Sequence, residues 1–156
     1  MCNGSTVFLL LFTGTAALAT GGGAPGTRSA EEPRAEPQHV RVQHVLIGFR
    51  GSVRGKTISR TPEEARDLAE AILRRAREGE SFEALVREYS DDGFPGIYEL
   101  ANTGVDPRPG EFRRAGMVKA FGDVSFSLEG DEVGMAAYDP VESRYGWHVI
   151  KRLDRP

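Results

Sequence analysis

Cysteine is almost absent from this chain: there is one thiol, Cys2, in 156 residues. A disulfide framework and a cysteine metal site are therefore both excluded. Charge of either sign is missing from the start, since no Lys, Arg, Asp or Glu precedes Arg28. A basic excess is missing as well. The net charge is −3, with 20 Lys and Arg against 23 Asp and Glu, so nothing electrostatic points to a nucleic-acid partner. The apolar run Val7–Ala19 falls short of the roughly 20 residues that span a bilayer. No internal repeat is present, no His-x-x-x-His spacing occurs, and no nucleophile stands beside a clear base. Metal-dependent and hydrolytic chemistry are set aside on that ground, and no cofactor is expected.

What is present begins with a leader. Ala17-Leu18-Ala19 closes the apolar run with the small-x-small pattern of a secretory signal. Residues 1–19 are read as a signal peptide, with an uncleaved hydrophobic anchor as the alternative and the only expected route to a membrane. The expected location is extracytoplasmic, periplasmic or secreted. Residues 20–38 are rich in Gly, Ala, Pro, Glu and Arg and bury almost nothing, so they read as a disordered linker. A folded domain is expected over 39–156.

The domain opens on a strand, His39–Phe49, apolar on both faces, with Val42, His44 and Leu46 on one face and Val45 and Ile47 on the other. Residues 50–60 form a loop carrying Arg50, Arg54, Lys56 and Arg60. That loop is either a solvated surface or an anion-collecting lip beside a site. Thr61-Pro62-Glu63-Glu64 has the capping-box signature of a helix start, and Gly79 fits its end. A second helix follows Ser81. Ser90-Asp91-Asp92 places two acids at its C-terminus, where the helix dipole disfavours them, so each needs an offsetting partner. Residues 93–116 are loop-rich, with a short strand at 97–100. Met117 and Phe121, four residues apart, share a face of a short helix over 116–121, and Val124, Phe126 and Leu128 add an apolar cluster. A strand over 133–138 precedes the last strand, 145–152, in which His148 and Ile150 share a face. His44 and His148 thus occupy equivalent places on the first and last strands.

The ordered set of segments resembles the parvulin-type peptidyl-prolyl cis-trans isomerases. The segments are Val42–Ile47, Arg60–Ala65, Gly79–Leu85, Tyr89–Asp92, Met117–Phe121, Phe126–Leu128 and Tyr145–Lys151. The resemblance implies an α+β fold: a small four-stranded, mainly antiparallel sheet with the first and last strands central, flanked by helices. It implies isomerisation of X-Pro bonds in proline-containing peptides or unfolded protein clients, with a foldase-like chaperone or peptide-binding module as the alternative. It implies that His44 and His148 are paired core histidines, that Asp92 holds the acid position beside them, and that Met117, Phe121 and Phe126 wall a proline pocket. Ser143 falls near a position where a hydroxyl bonds one of the histidines. One departure stands out. Gly96-Ile97-Tyr98-Glu99-Leu100 replaces the family's Gly-Gly-Asp-Leu-Gly, which leaves Leu100 or Tyr98 as the candidate for the remaining wall.

Overall fold

The computed structural model describes residues 35–153. The leader, residues 1–19, and linker residues 20–34 lie outside the described residues. The compact unit begins at Ala35, before the expected His39. Asn102 is the reason. Its side-chain amide donates to Glu36 (3.2 Å) and to the Pro37 carbonyl (3.0 Å), and its backbone N–H donates to the Gln38 carbonyl (2.9 Å). These polar residues have little to bury, but their acceptors find donors on the domain.

The elements run β1 (His39–Ile47), α1 (Pro62–Arg77), α2 (Phe82–Tyr89), β2 (Ile97–Ala101), β3 (Phe112–Arg113), α3 (Lys119–Ser127), β4 (Val133–Ala136) and β5 (Trp147–Arg152). The sheet order is β3-β2-β1-β5-β4. The first and last long strands are central, as the resemblance implied, but the sheet has five strands and is mixed rather than four-stranded. The extra strand is the two-residue β3, which pairs with β2 in parallel, Leu100 opposite Phe112. Two residues are too few to show a period, and the prolines around them conceal the strand.

Both faces of the sheet are covered, which is why β1 is apolar on both sides. Val45, Ile47, Trp147 and Val149 pack under α1 and α2 with Ala69, Ile72, Phe82 and Leu85. Val40, Val42, Leu100 and Ile150 pack under α3 with Phe121 and Phe126. The alternation of strand side chains then sends His44 and His148 to the α3 side.

Helix α1 starts as its sequence requires. Thr61 Oγ1 accepts from the Glu64 N–H and the Glu64 carboxylate accepts from the Thr61 N–H, at 3.2 and 2.8 Å. Such a cap is worth about 1 kcal/mol. Helix α3 differs from expectation. A single 3-10 turn, Arg114–Gly116, precedes it, Met117 stands outside it, and the helix runs on to absorb Val124 and Phe126.

The close approach of β5 to β1 depends on Gly146. It has φ +136°, and a Cβ there would sit 2.2 Å from the Ile47 carbonyl oxygen. Neither the dihedral nor the space suits an L side chain. We expect Gly146→Ala to lose at least about 2 kcal/mol of unfolding free energy, since strain and overlap of this kind cost that order each. Urea denaturation measures it, and an unchanged midpoint would contradict the assignment.

Candidate active site

Beneath α3, the strands β1 and β5 carry one continuous polar chain. Antiparallel pairing sets His44 opposite Ile150 and Leu46 opposite His148, so the two rings are diagonal neighbours on one face. Their Nδ1 atoms lie 3.2 Å apart, with the ring planes within 12° of each other and the centroids 5.4 Å apart. His44 Nε2 lies 3.0 Å from the Asp92 carboxylate, and the Tyr98 hydroxyl donates to the same oxygen at 3.0 Å. Phe121 stands edge-on to both imidazoles, at 5.2 and 5.4 Å, and Tyr98 stands edge-on to His44 at 5.2 Å.

The two adjacent acids have separate work. Asp91 faces back: it accepts from the Gly48 N–H at 2.8 Å and pairs with Arg60, so it fastens the end of α2 to the loop after β1. Asp92 faces the rings. The donation from His44 holds its carboxyl well below the usual carboxylate range, with the Gly93 N–H and Tyr98 adding to that and partial burial opposing it. Burial pushes the Tyr98 phenol up to about 12, and the charge on Asp92 adds to the effect. Burial pushes the His148 imidazole down from 6.5 to about 3, helped by its neighbour His44.

For neutral rings, one order of protons satisfies these contacts. An ionised Asp92 accepts only, so both Tyr98 and His44 Nε2 donate to it. With both rings neutral, His44 Nδ1 is then an acceptor, and His148 Nδ1–H donates to it. His148 Nε2 is left as a lone pair, buried and without a hydrogen-bond partner among the described residues. An orphaned acceptor is the cheaper fault, since buried orphaned N–H groups are rarer than under-satisfied acceptors.

A cleft of about 540 Å³ opens above this chain. His44, Asp92, His148, Tyr98, Met117 and Phe121 all contribute to its lining. Leu100 and Phe126 do not. Leu100 is fully buried two residues beyond Tyr98 on β2, where it pairs with Val40 and not with Val42, one step further from the rings. Phe126 is five residues, roughly 140°, round α3 from Phe121, and lies buried with the Arg114 guanidinium 4.9 Å above its ring. Both are core, and of the two wall candidates Tyr98, not Leu100, lines the cleft. Ser143 is also buried, but its hydroxyl donates to the Gly146 carbonyl at 3.0 Å instead of meeting a ring.

The four loop cations do not gather at the cleft. Arg60 is spent on Asp91 and the Gly48 carbonyl, Arg50 donates to the Ser59 carbonyl at 3.1 Å, and Arg54 and Lys56 are exposed to solvent. The loop supplies only Val53 to the lining. Cations do line the cleft, but from elsewhere: Lys119 at the start of α3 and Arg144 before β5. Sequence reading missed both. Arg144 directly precedes the aromatic-Gly segment that was read, and that adjacency was the one available signal. Among the described residues no three His, Cys, Asp or Glu side chains converge to hold a metal ion.

The proton order has a pH consequence. The folded His148 ring refuses a proton that the unfolded chain accepts as pH falls below 6.5. The stability that this ring confers is therefore complete above pH 6.5 and is lost progressively as pH falls toward about 3. Asp92, also depressed, loses stability in the same direction on acidification. Nitrogen NMR of the rings is expected to show His148 neutral at pH 5, with stability by denaturation falling from pH 6.5 downward. A His148 ring that titrates near 6.5 would overturn the arrangement.

The sequence profile of the PPIC-type PPIASE domain, a peptidyl-prolyl isomerase domain, matches residues 28–156. The chain is 39% identical over 117 residues to the chaperone SurA of Chromohalobacter salexigens, covering 74% of this chain and 22% of that protein. It is 29% identical over 129 residues to the foldase protein PrsA of Bacillus subtilis, covering 82% of this chain and 39% of that one. It therefore spans well under half the length of these relatives. Among solved structures, the solution structure of TbPIN1 superposes with a TM-score of 0.56 at 26% identity, covering 75% of this chain and 98% of that one. A crystal structure of a PpiC-type peptidyl-prolyl cis-trans isomerase domain, 20% identical over 74% of this chain and 89% of its own, shares the fold with a TM-score of 0.50. With five strands, three helices and a matching profile over most of its length, the chain belongs to the PPIC-type PPIASE domain family.

Proposed function

We propose that this chain accelerates rotation about X-Pro bonds of unfolded or partly folded protein clients, outside the cytoplasm, without a covalent intermediate. The observation that carries the reading is the Tyr98–Asp92–His44–His148 chain set against an apolar wall of Met117 and Phe121 in one cleft. The extracytoplasmic placement rests on the leader, residues 1–19.

Rotation about a peptide bond crosses about 18–20 kcal/mol, and around X-Pro it takes tens to hundreds of seconds uncatalysed. The barrier is lost resonance. The planar form has a partly negative oxygen; the twisted form has a ketone-like oxygen and a localised nitrogen lone pair. A site needs only to favour the twisted form over both planar ones. Met117 and Phe121 hold the proline ring and exclude water. Asp92, kept ionised by its donors, presents negative charge to a carbonyl turned toward it, which disfavours the planar form more than the twisted one. The two histidines keep Asp92 in place; the reaction asks no proton of them. Each 1.36 kcal/mol of preference for the twisted form is tenfold in rate.

The names of the relatives, a chaperone and a foldase, support a second use of the cleft, namely holding clients with little turnover. One pair of assays separates the two. The chain should speed a proline-limited refolding reaction, and Met117→Ala should cut kcat/KM on an Ala-Pro peptide by about tenfold, equivalent to 1.36 kcal/mol. Met117 is only half-buried and stands outside α3, so its removal tests the cleft and not the fold. Suppressed aggregation of a proline-free client, with refolding unaccelerated, would favour the holding role.

A further inference from the structure

Resting on the isomerase reading, we propose that Arg144 selects clients with an acidic residue beside the proline. The loop cations first suspected of such a role are spent elsewhere or stand away from the cleft. Of the two cations that line it, Lys119 is already neutralised, by Asp123 at 2.9 Å and Glu142 at 3.4 Å. Arg144 has no carboxylate partner among the described residues. Its guanidinium stacks over its neighbour Tyr145, 4.9 Å from the ring centroid, and spends one donor on that hydroxyl at 2.8 Å. The remaining donors of the fork are available at the cleft mouth.

The backbone that presents Arg144 is held on three sides. Asp139 Oδ1 accepts from the Val141 and Glu142 N–H groups, both at 2.8 Å, and the Ser143 N–H donates to the Asp139 carbonyl at 2.9 Å. The Ala120 N–H, in the first turn of α3, donates to the Glu142 carbonyl at 3.1 Å. Ser52 of the loop after β1 donates to the Tyr145 carbonyl at 2.9 Å. The turn is thus fixed to the helix that walls the cleft and to the loop across its mouth. Val141 is 85% exposed on the same turn and lines the same cleft, so a client's backbone passing it meets an apolar contact and a cation together. A carboxylate next to the bound proline pairs with a preorganised guanidinium at low ordering cost. An ammonium there is repelled.

The test compares kcat/KM on Glu-Pro, Ala-Pro and Lys-Pro peptides of otherwise identical sequence. The chain should favour Glu-Pro over Lys-Pro by about fivefold at low salt, the range for a partly exposed ion pair, and less in high salt. In Arg144→Gln the ratio should fall to within about twofold of unity, while Arg144→Lys keeps part of it and Arg54→Gln keeps all of it. Equal rates on the three peptides in the unmodified chain, or an unchanged ratio in Arg144→Gln, would overturn the proposal while leaving the isomerase reading intact. Absence of turnover on every peptide would overturn both.

Discussion

Two imidazoles buried against each other are the constraint that the rest of this domain serves. His44 and His148 are 3% and 4% exposed, in a layer otherwise filled by Val, Leu, Ile and Phe. A polar ring in such a layer is tolerable only with hydrogen-bond partners, since an unsatisfied buried group costs about 1–3 kcal/mol. Each ring is the other's partner, so β1 and β5 must be adjacent, antiparallel and in one register. A slip by one residue would turn His148 to the α1 face and strand His44. Gly146 permits the required approach at the start of β5, and Trp147 and Val149 anchor the opposite face under α1. The register of the sheet and the geometry of the site are therefore a single requirement.

The acidic turn after α2 extends the same logic outward. Two adjacent carboxylates at a helix C-terminus repel its dipole. Asp91 is offset by Arg60 and by the Gly48 N–H, and Asp92 by His44 and Tyr98. Asp91 fixes the backbone, and that lets Asp92 direct its charge into the cleft without its own position being in play. Asp92 keeps 38% of its side chain exposed, and Tyr98 beside it is also only half-buried, so the carboxylate end of the chain opens toward solvent. The two rings behind it are buried at the cleft's base.

Much of this was legible because it repeats along the chain. Alternation placed His44 with Val42 and His148 with Ile150, and the capping residues Thr61, Glu64 and Ser81 marked the helix starts. What was hidden has no period. β3 has two residues, its partner β2 pairs with it in parallel, and the identity of the wall turned on whether Tyr98 or Leu100 lay nearer the rings. Both share a face of β2, so only the register against β1 decides it: Tyr98 opposite Val42, Leu100 opposite Val40. Phe126 and Phe121 posed the same difficulty on α3, where the true start of the helix, after Met117, sets which ring faces the cleft. The basic loop could not be decided from sequence, because charge density does not report pairing. Arg60, the last of the loop's cations, proves to be a structural clamp, whereas Arg144, isolated in sequence, reaches the cleft.

The orphaned Nε2 of His148 shows what the arrangement gives up. Once Asp92 is ionised, every proton in the chain points toward it, and the last lone pair has nothing to accept from. An apolar residue of similar shape at position 148 would remove that penalty, but it would leave His44 Nδ1 with the same fault one step closer to the cleft. With an apolar substitution the unsatisfied acceptor is not eliminated; it is only moved. Placing it at the far end, under α3, keeps Asp92 and His44 bonded where the cleft opens. Stability is conceded at a buried ring nitrogen, and the carboxylate that lines the cleft keeps both of its donors.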